Sequence, residues 1–166
     1  MSAAGRTRTA PAGMSPLRFA VAACAHWEHG YDTAYRRLAE QEPDLVVHLG
    51  DYIYEYEPQG YTALGQTARE HAGAKCRTLA DYRVRHAQYK SDHDLQAAHL
   101  VAPWLVAFDD HEIENNWAGP ASSSQAPEFR DAGAVPHARV HQPPGAPRQG
   151  LGGEFTIPSG HAALQP

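Results

Sequence analysis

The stretch Leu45–Tyr56, LVVHLGDYIYEY, runs from a short apolar segment directly into a glycine and an acid. Leu45–Leu49 has the length and composition of a buried strand, and Gly50-Asp51 closes it. Upstream, Leu17–Ala23 (LRFAVAA) is a second apolar run of strand length. Between the two, Tyr31, Ala34, Tyr35 and Leu38 recur at helical spacing, which predicts a helix over Tyr31–Gln41 that Pro43 stops. Strand, helix and strand in so few residues predict a βαβ unit with parallel strands.

Downstream, Tyr52–Arg77 shows little periodicity and reads as a long, mobile excursion over a site. Thr78 is placed to cap a helix running to Lys90, and Asp92 to cap a second one running to Leu100. After Pro103 comes WLVAF, a third strand ending at Asp109-Asp110. The expected fold is therefore α/β, a βαβαβ unit.

Ligands of open α/β sheets bind beyond the carboxyl ends of the strands. All three strand ends here carry potential ligands. Cys24 follows the first strand. Asp51 and, three residues on, Tyr54 follow the second. Asp109, Asp110, His111, Glu112, Asn115 and Asn116 follow the third. Parallel strands would gather these groups on one edge. A carboxylate such as Asp51 can bridge two cations, thiolate and phenolate suit a transition metal, and carboxylate and amide oxygens suit a harder cation. Two cations roughly 3.5–4 Å apart can clamp a phosphate and activate water. His111 would then protonate the leaving group or hold the phosphate. Taken alone, Gly50-Asp51 reads more readily as a turn or cap than as a ligand, and Cys24 as a small core residue. The run Asp109-Asp110-His111-Glu112 is harder to assign to a bare turn, because clustered acids near a sheet need partners. A flavodoxin-like binding domain shares the βαβ pattern, but no Gly-rich or Ser/Thr phosphate loop follows the first strand.

Composition sets the outer bounds. The chain has 166 residues, 42% hydrophobic and 20% charged, enough for one globular domain. A net charge of -5 argues against a nucleic-acid surface. Eleven histidines are an excess that suits metal chemistry. The two cysteines, Cys24 and Cys76, match no zinc spacing, and a disulfide between them stays open. No run is long enough to span a membrane. Residues 1–16 read as a disordered leader without the apolar core of a signal peptide. Eight of the 13 prolines lie in Pro120–Pro166, a segment with neither helical nor strand period, read as a disordered tail.

The stretches FAVAACAHWEHGYDTAYRRLAEQEPDLVVHLGDYIYEY, TLADYRVRHAQYKSDHDLQAAH and PWLVAFDDHEIENNWAG closely resemble the PhoD-type alkaline phosphatases of the calcineurin-like metallophosphoesterase superfamily. The resemblance runs from about Leu17 to Gly119. It implies hydrolysis of phosphate monoesters or diesters with ferric iron and calcium. Cys24, Asp51 and Tyr54 would hold the iron, with Asp51 bridging. Asp110 and Asn116 would hold calcium, and His111 would take the catalytic histidine's position. The implied fold is the N-terminal half of a four-layer sandwich of two packed sheets, an αββα metallophosphatase. The division implied is 1–16 leader, 17–120 partial phosphatase domain and 121–166 tail. Further ligands of the family lie in downstream motifs. His137, His141 and His161 stand in a Pro/Gly context that matches none of them, so the tail is expected to be out of frame after Phe129 or the product truncated. The family is typically exported by the twin-arginine route. The alternative to a weakly active phosphoesterase is a non-catalytic metal- or partner-binding half-domain, completed by another chain.

Overall fold

Residues 4–7, 13–62 and 65–117 are described by the computed structural model of the chain. The stretch expected to be a tail, and part of the one expected to be a leader, lie outside them. Within residues 1–16, Arg6 donates its backbone N–H to Leu100 O at 2.8 Å and reaches Glu42 at 3.4 Å.

Three strands form one parallel sheet in the order β1 (Phe19–Ala22), β2 (Leu45–His48), β3 (Trp104–Val106). Val21 registers with Val47, and Val47 with Leu105. Helix α1 (Thr33–Glu40) links β1 to β2. Helices α2 (Leu79–Tyr89) and α3 (His93–Val101) lie between β2 and β3. This is the expected βαβαβ arrangement, with each element starting within two residues of its predicted bound. The caps act as their residue types dictate. Thr78 Oγ1 accepts the Asp81 N–H while the Asp81 carboxylate takes the Thr78 N–H at 2.7 Å, a reciprocal capping box. Asp92 accepts from the N–H groups of Asp94 and Leu95.

The alternation along the strands separates two faces. Val46 and His48 are fully buried beneath the helices. Phe19, Val21 and Leu105 point the other way and stay 61%, 54% and 49% exposed. Among the described residues, that second face is an open apolar surface rather than the interior of a sandwich.

The covered side has an aromatic core of Tyr35, Tyr52, Ile53, Cys76, Tyr82, Tyr89, Leu95 and Ala98. A buried tyrosine needs a partner for its hydroxyl. Tyr35 meets His48 Nε2 at 3.2 Å, and Tyr52 meets His99 Nε2 at 2.8 Å. Tyr89 OH takes the Trp27 N–H at 3.1 Å and contacts His71 Nε2 at 3.0 Å, while Tyr82 donates to Ile113 O.

Parts of the segment Tyr52–Arg77, expected to be a long excursion over the site, are anchored. Residues 52–55, His71 and Cys76 are buried, and one side chain ties much of it down. The Glu28 carboxylate, itself fully buried, accepts the N–H groups of Gln59 and His71. Nonperiodic segments look polar in sequence, yet here their backbone amides are satisfied by a buried acid instead of by solvent. Both cysteines are free thiols, Cys24 exposed and Cys76 buried, so the disulfide left open by the sequence is not formed.

Candidate metal centre

Parallel pairing does not stop at the strand ends. Beyond β1 and β2, the Cys24 N–H donates to Gly50 O at 3.2 Å and the Ala25 N–H to Asp51 O at 3.0 Å. Beyond β3, the Ala107 N–H donates to His48 O at 2.8 Å. The three loops therefore leave the sheet side by side. Gly50 permits the closest approach. Its φ is +119°, and a Cβ built on it would lie 2.6 Å from the Cβ and N of Asp109. Gly50→Ala is thus expected to cost roughly 2–4 kcal/mol, from overpacking plus left-handed strain. Urea denaturation checks this, and a loss below about 1 kcal/mol would contradict the close approach.

One donor each from Asp51, Asp110 and His111 lie within 4.8 Å of one another. Cys24 Sγ is 3.5 Å from Asp51 Oδ2, and Tyr54 OH donates to the same oxygen at 3.1 Å. Five of the six residues singled out in the sequence thus converge by their side chains. The sixth, Asn116, arrives by its backbone, whose N–H donates to Asp110 Oδ2. Asp109 turns away from this role. It caps the one-turn 3₁₀ segment Asp110–Glu112 by accepting the Asp110 N–H at 2.9 Å. Cys24, Asp51 and Asn116 have φ of 57°, 52° and 61°, a strained region for non-glycine residues that is typical of sites where geometry outranks comfort.

The electrostatics suit a cation. Burial, and then the nearby Asp51 carboxylate, push the Cys24 thiol and the Tyr54 phenol above their ordinary values. Asp51 Oδ1 is buried with no hydrogen-bond partner among the described residues. Three acidic groups facing one another with an unsatisfied oxygen are the donor set a multivalent cation would relieve, reversing both shifts. The residues present therefore fit a metal.

One residue beside the candidate ligands, Glu55, is absent from the sequence reading, and another, Glu112, takes a different role from the one expected of it. Glu55, fully buried, holds His111 Nδ1 at 2.9 Å and takes the Asn115 N–H at 3.1 Å. Burial alone would lower the His111 pKa, but the hydrogen bond and charge of Glu55, with Asp51 and Asp110 nearby, raise it overall. The available signal for Glu55 was a lone acid among aromatics in YIYEY. Glu112 had been grouped with the possible ligands. It instead spends its carboxylate on backbone N–H groups of Asp51, Tyr52, Ile53 and Asp109.

Residues 19–142 match the family model of PhoD-like phosphatases, a match that continues past Phe129. Over 121 residues the chain is 51% identical to alkaline phosphatase D of Bacillus subtilis, covering 71% of this chain and 21% of that protein. A solved structure titled "Structure of PhoD" superposes with a TM-score of 0.73 at 47% identity, covering 81% of this chain and 27% of that one. The chain thus spans about a fifth of the length of its curated relative.

Proposed function

The chain belongs to the PhoD-like phosphatase family, and from that premise we propose that it carries the first part of a metal-dependent phosphoesterase centre. The observation behind the proposal is the convergence of Asp51, Asp110 and His111, with Cys24 and Tyr54 on the Asp51 carboxylate. Cys24, Asp51 and Tyr54 would hold ferric iron, with Asp51 bridging, and Asp110 and Asn116 would contribute to a calcium site. When bound, such a pair supplies Lewis-acid polarisation of the phosphoryl oxygens and of the attacking water. His111 is oriented by Glu55 through Nδ1, so Nε2 is the nitrogen left for a substrate. The hydrogen bond and charge of Glu55 favour the protonated form of His111, which suits it to protonate a leaving alkoxide. The working portion would be residues 17–120, flanked by 1–16 and 121–166. The setting expected from the family is extracytoplasmic, and no helix among the described residues is long and apolar enough to cross a membrane. The substrate would be a phosphate ester. Turnover by this chain alone is expected to be weak, since it spans 21% of its relative.

The test is to supply purified chain with iron and calcium and to follow p-nitrophenyl phosphate and its bis-ester. Weak hydrolysis abolished by chelation is expected. Asp51→Asn should weaken metal binding at least about 100-fold, and His111→Ala should lower turnover by about 10²–10⁴-fold. Hydrolysis that survives both substitutions would place the chemistry elsewhere. The open apolar face of Phe19, Val21 and Leu105 favours the second reading, a non-catalytic half-domain that binds metal or a partner. Metal binding without any hydrolysis would select it.

A further inference from the structure

The two loops that carry the candidate ligands are joined by an exchange of buried glutamates. Glu112, from the loop after β3, is 1% exposed and lies across the loop after β2. Its Oε2 accepts the Asp51 N–H at 3.0 Å and its Oε1 the Ile53 N–H at 3.3 Å, with the Tyr52 N–H donating to the same Oε1. Oε2 also takes the Asp109 N–H at 2.7 Å. Only that last bond belongs to a local capping box. The other three cross to a segment about 60 positions away in sequence. In the opposite direction, Glu55 from the loop after β2 is 0% exposed and grips the loop after β3 at His111 Nδ1 and the Asn115 N–H.

Sheet pairing cannot by itself fix Asp51 relative to Asp110, because the last backbone bond between the β2 and β3 sides among the described residues is Ala107 N–H to His48 O and both acids lie beyond it. Asp51 also holds a left-handed φ of 52° that needs outside support. A single carboxylate that accepts three successive amides, beginning at Asp51, provides that support. We propose that Glu112 is a positioning residue, one half of a reciprocal carboxylate clamp with Glu55, which sets the Asp51–Asp110 ligand separation. This rests on the reading of Asp51 and Asp110 as metal ligands. It adds that the separation depends on acids that touch no metal.

The experiment uses the full chain and terbium(III) alone as a calcium-like probe, whose emission is sensitised by a nearby tyrosine such as Tyr54. Wild type, Glu112→Gln, Glu55→Gln, the double variant and Asp51→Asn are titrated, with urea denaturation giving the folded fraction of each. Glu112→Gln keeps the shape but turns an NH2 group toward amide donors. Its folded fraction should bind terbium about 10–100-fold more weakly, and the amides of Asp51, Tyr52 and Ile53 should lose hydrogen-exchange protection. Glu55→Gln should weaken binding as well, and the double variant should lose less than the sum of the two, because both act on one separation. Should Glu112→Gln fail to fold, Glu55→Gln and its hydrogen exchange at Asn115 carry the test. A Glu112→Gln protein that is less stable but binds terbium as tightly as wild type overturns the clamp and leaves the metal reading intact. Wild type that binds no terbium, or that binds it equally after Asp51→Asn, overturns both.

Discussion

Replacing Arg85 by alanine should cost about 3–5 kcal/mol of stability, enough to unfold much of the chain at ambient temperature. Arg85 is the largest fully buried side chain. It lies on the inner side of α2, and its guanidinium donates to Tyr54 O, to Ala72 O at 3.4 Å and to Ala74 O at 3.3 Å. These carbonyls belong to the nonperiodic segment between β2 and α2, which has no ladder of its own to satisfy them. Alanine would strand the buried Tyr54 O at about 1–3 kcal/mol and open a cavity the size of most of an Arg side chain, while the exposed Ala72 and Ala74 could turn their carbonyls to water. Native domains are stable by only about 5–15 kcal/mol, and a sheet with one uncovered face is expected to lie at the low end. Arg85→Met separates the two contributions. It restores most of the volume but none of the hydrogen bonds, so it should recover part of the loss and no more. Urea denaturation of the three proteins reads this directly. An alanine variant within about 1 kcal/mol of wild type would show that water replaces the guanidinium at no cost, and that the segment is not held from α2.

Arg85 also marks the boundary of what the sequence could disclose. The strands were legible because LRFAVAA, LVVHL and WLVAF have the length and composition of buried strands, and the helices because Thr78 and Asp92 announce their starts. Parallel order then followed from the short βαβ spacing, and with it the meeting of Cys24, Asp51, Tyr54, Asp110 and His111 at one edge. Periodicity reports only which face an apolar residue takes. It says nothing about a charged residue in a loop, where a buried clamp and a solvated surface acid look alike. Glu28, Glu55 and Arg85 are fully buried with no periodic signal of it, and Glu112, visible in sequence only as one acid of a cluster that needs partners, is nearly so. Most of their partners are backbone amides and carbonyls brought close by the tertiary fold, with the His111 ring added for Glu55. The same limit applies to the described parts of Tyr52–Arg77, which Glu28 and Arg85 hold at Tyr54, Gln59, His71, Ala72 and Ala74 without any local pattern.

Acidification should destabilise the chain below neutral pH, through imidazoles the fold keeps uncharged. Burial, followed by neighbouring positive charge, lowers the pKa of His26 and of His71 to about 3 and that of His99 to about 4. His71 faces Tyr89 and Arg85, His99 lies between Tyr52 and the Trp104 ring, and His26 stacks on His29. A folded-state pKa below the unfolded value gives stability that is complete above about 6.5 and is lost as the pH falls toward the folded value, since the unfolded chain takes up the protons first. Two carboxyls oppose this. Burial, then the charge of Asp92, raises Asp32 to about 6, and burial raises Glu112 to about 7 despite its amide donors. For these the folded state holds the proton more tightly, so their contribution is present at low pH and is lost as the pH rises. Taken by themselves, these three imidazoles and two carboxyls contribute a net uptake of roughly one proton on unfolding between about pH 6 and 4. The thermal midpoint should therefore fall steadily across that window. The balance makes the prediction sharp, because single substitutions move the slope in opposite directions. His99→Gln removes one imidazole and should nearly flatten the dependence. Asp32→Asn removes one opposing carboxyl and should steepen it by up to about one proton. Calorimetric midpoints across the window decide the matter. A slope unchanged by His99→Gln, or by Asp32→Asn, would mean that the group concerned titrates in the folded chain as it does in water.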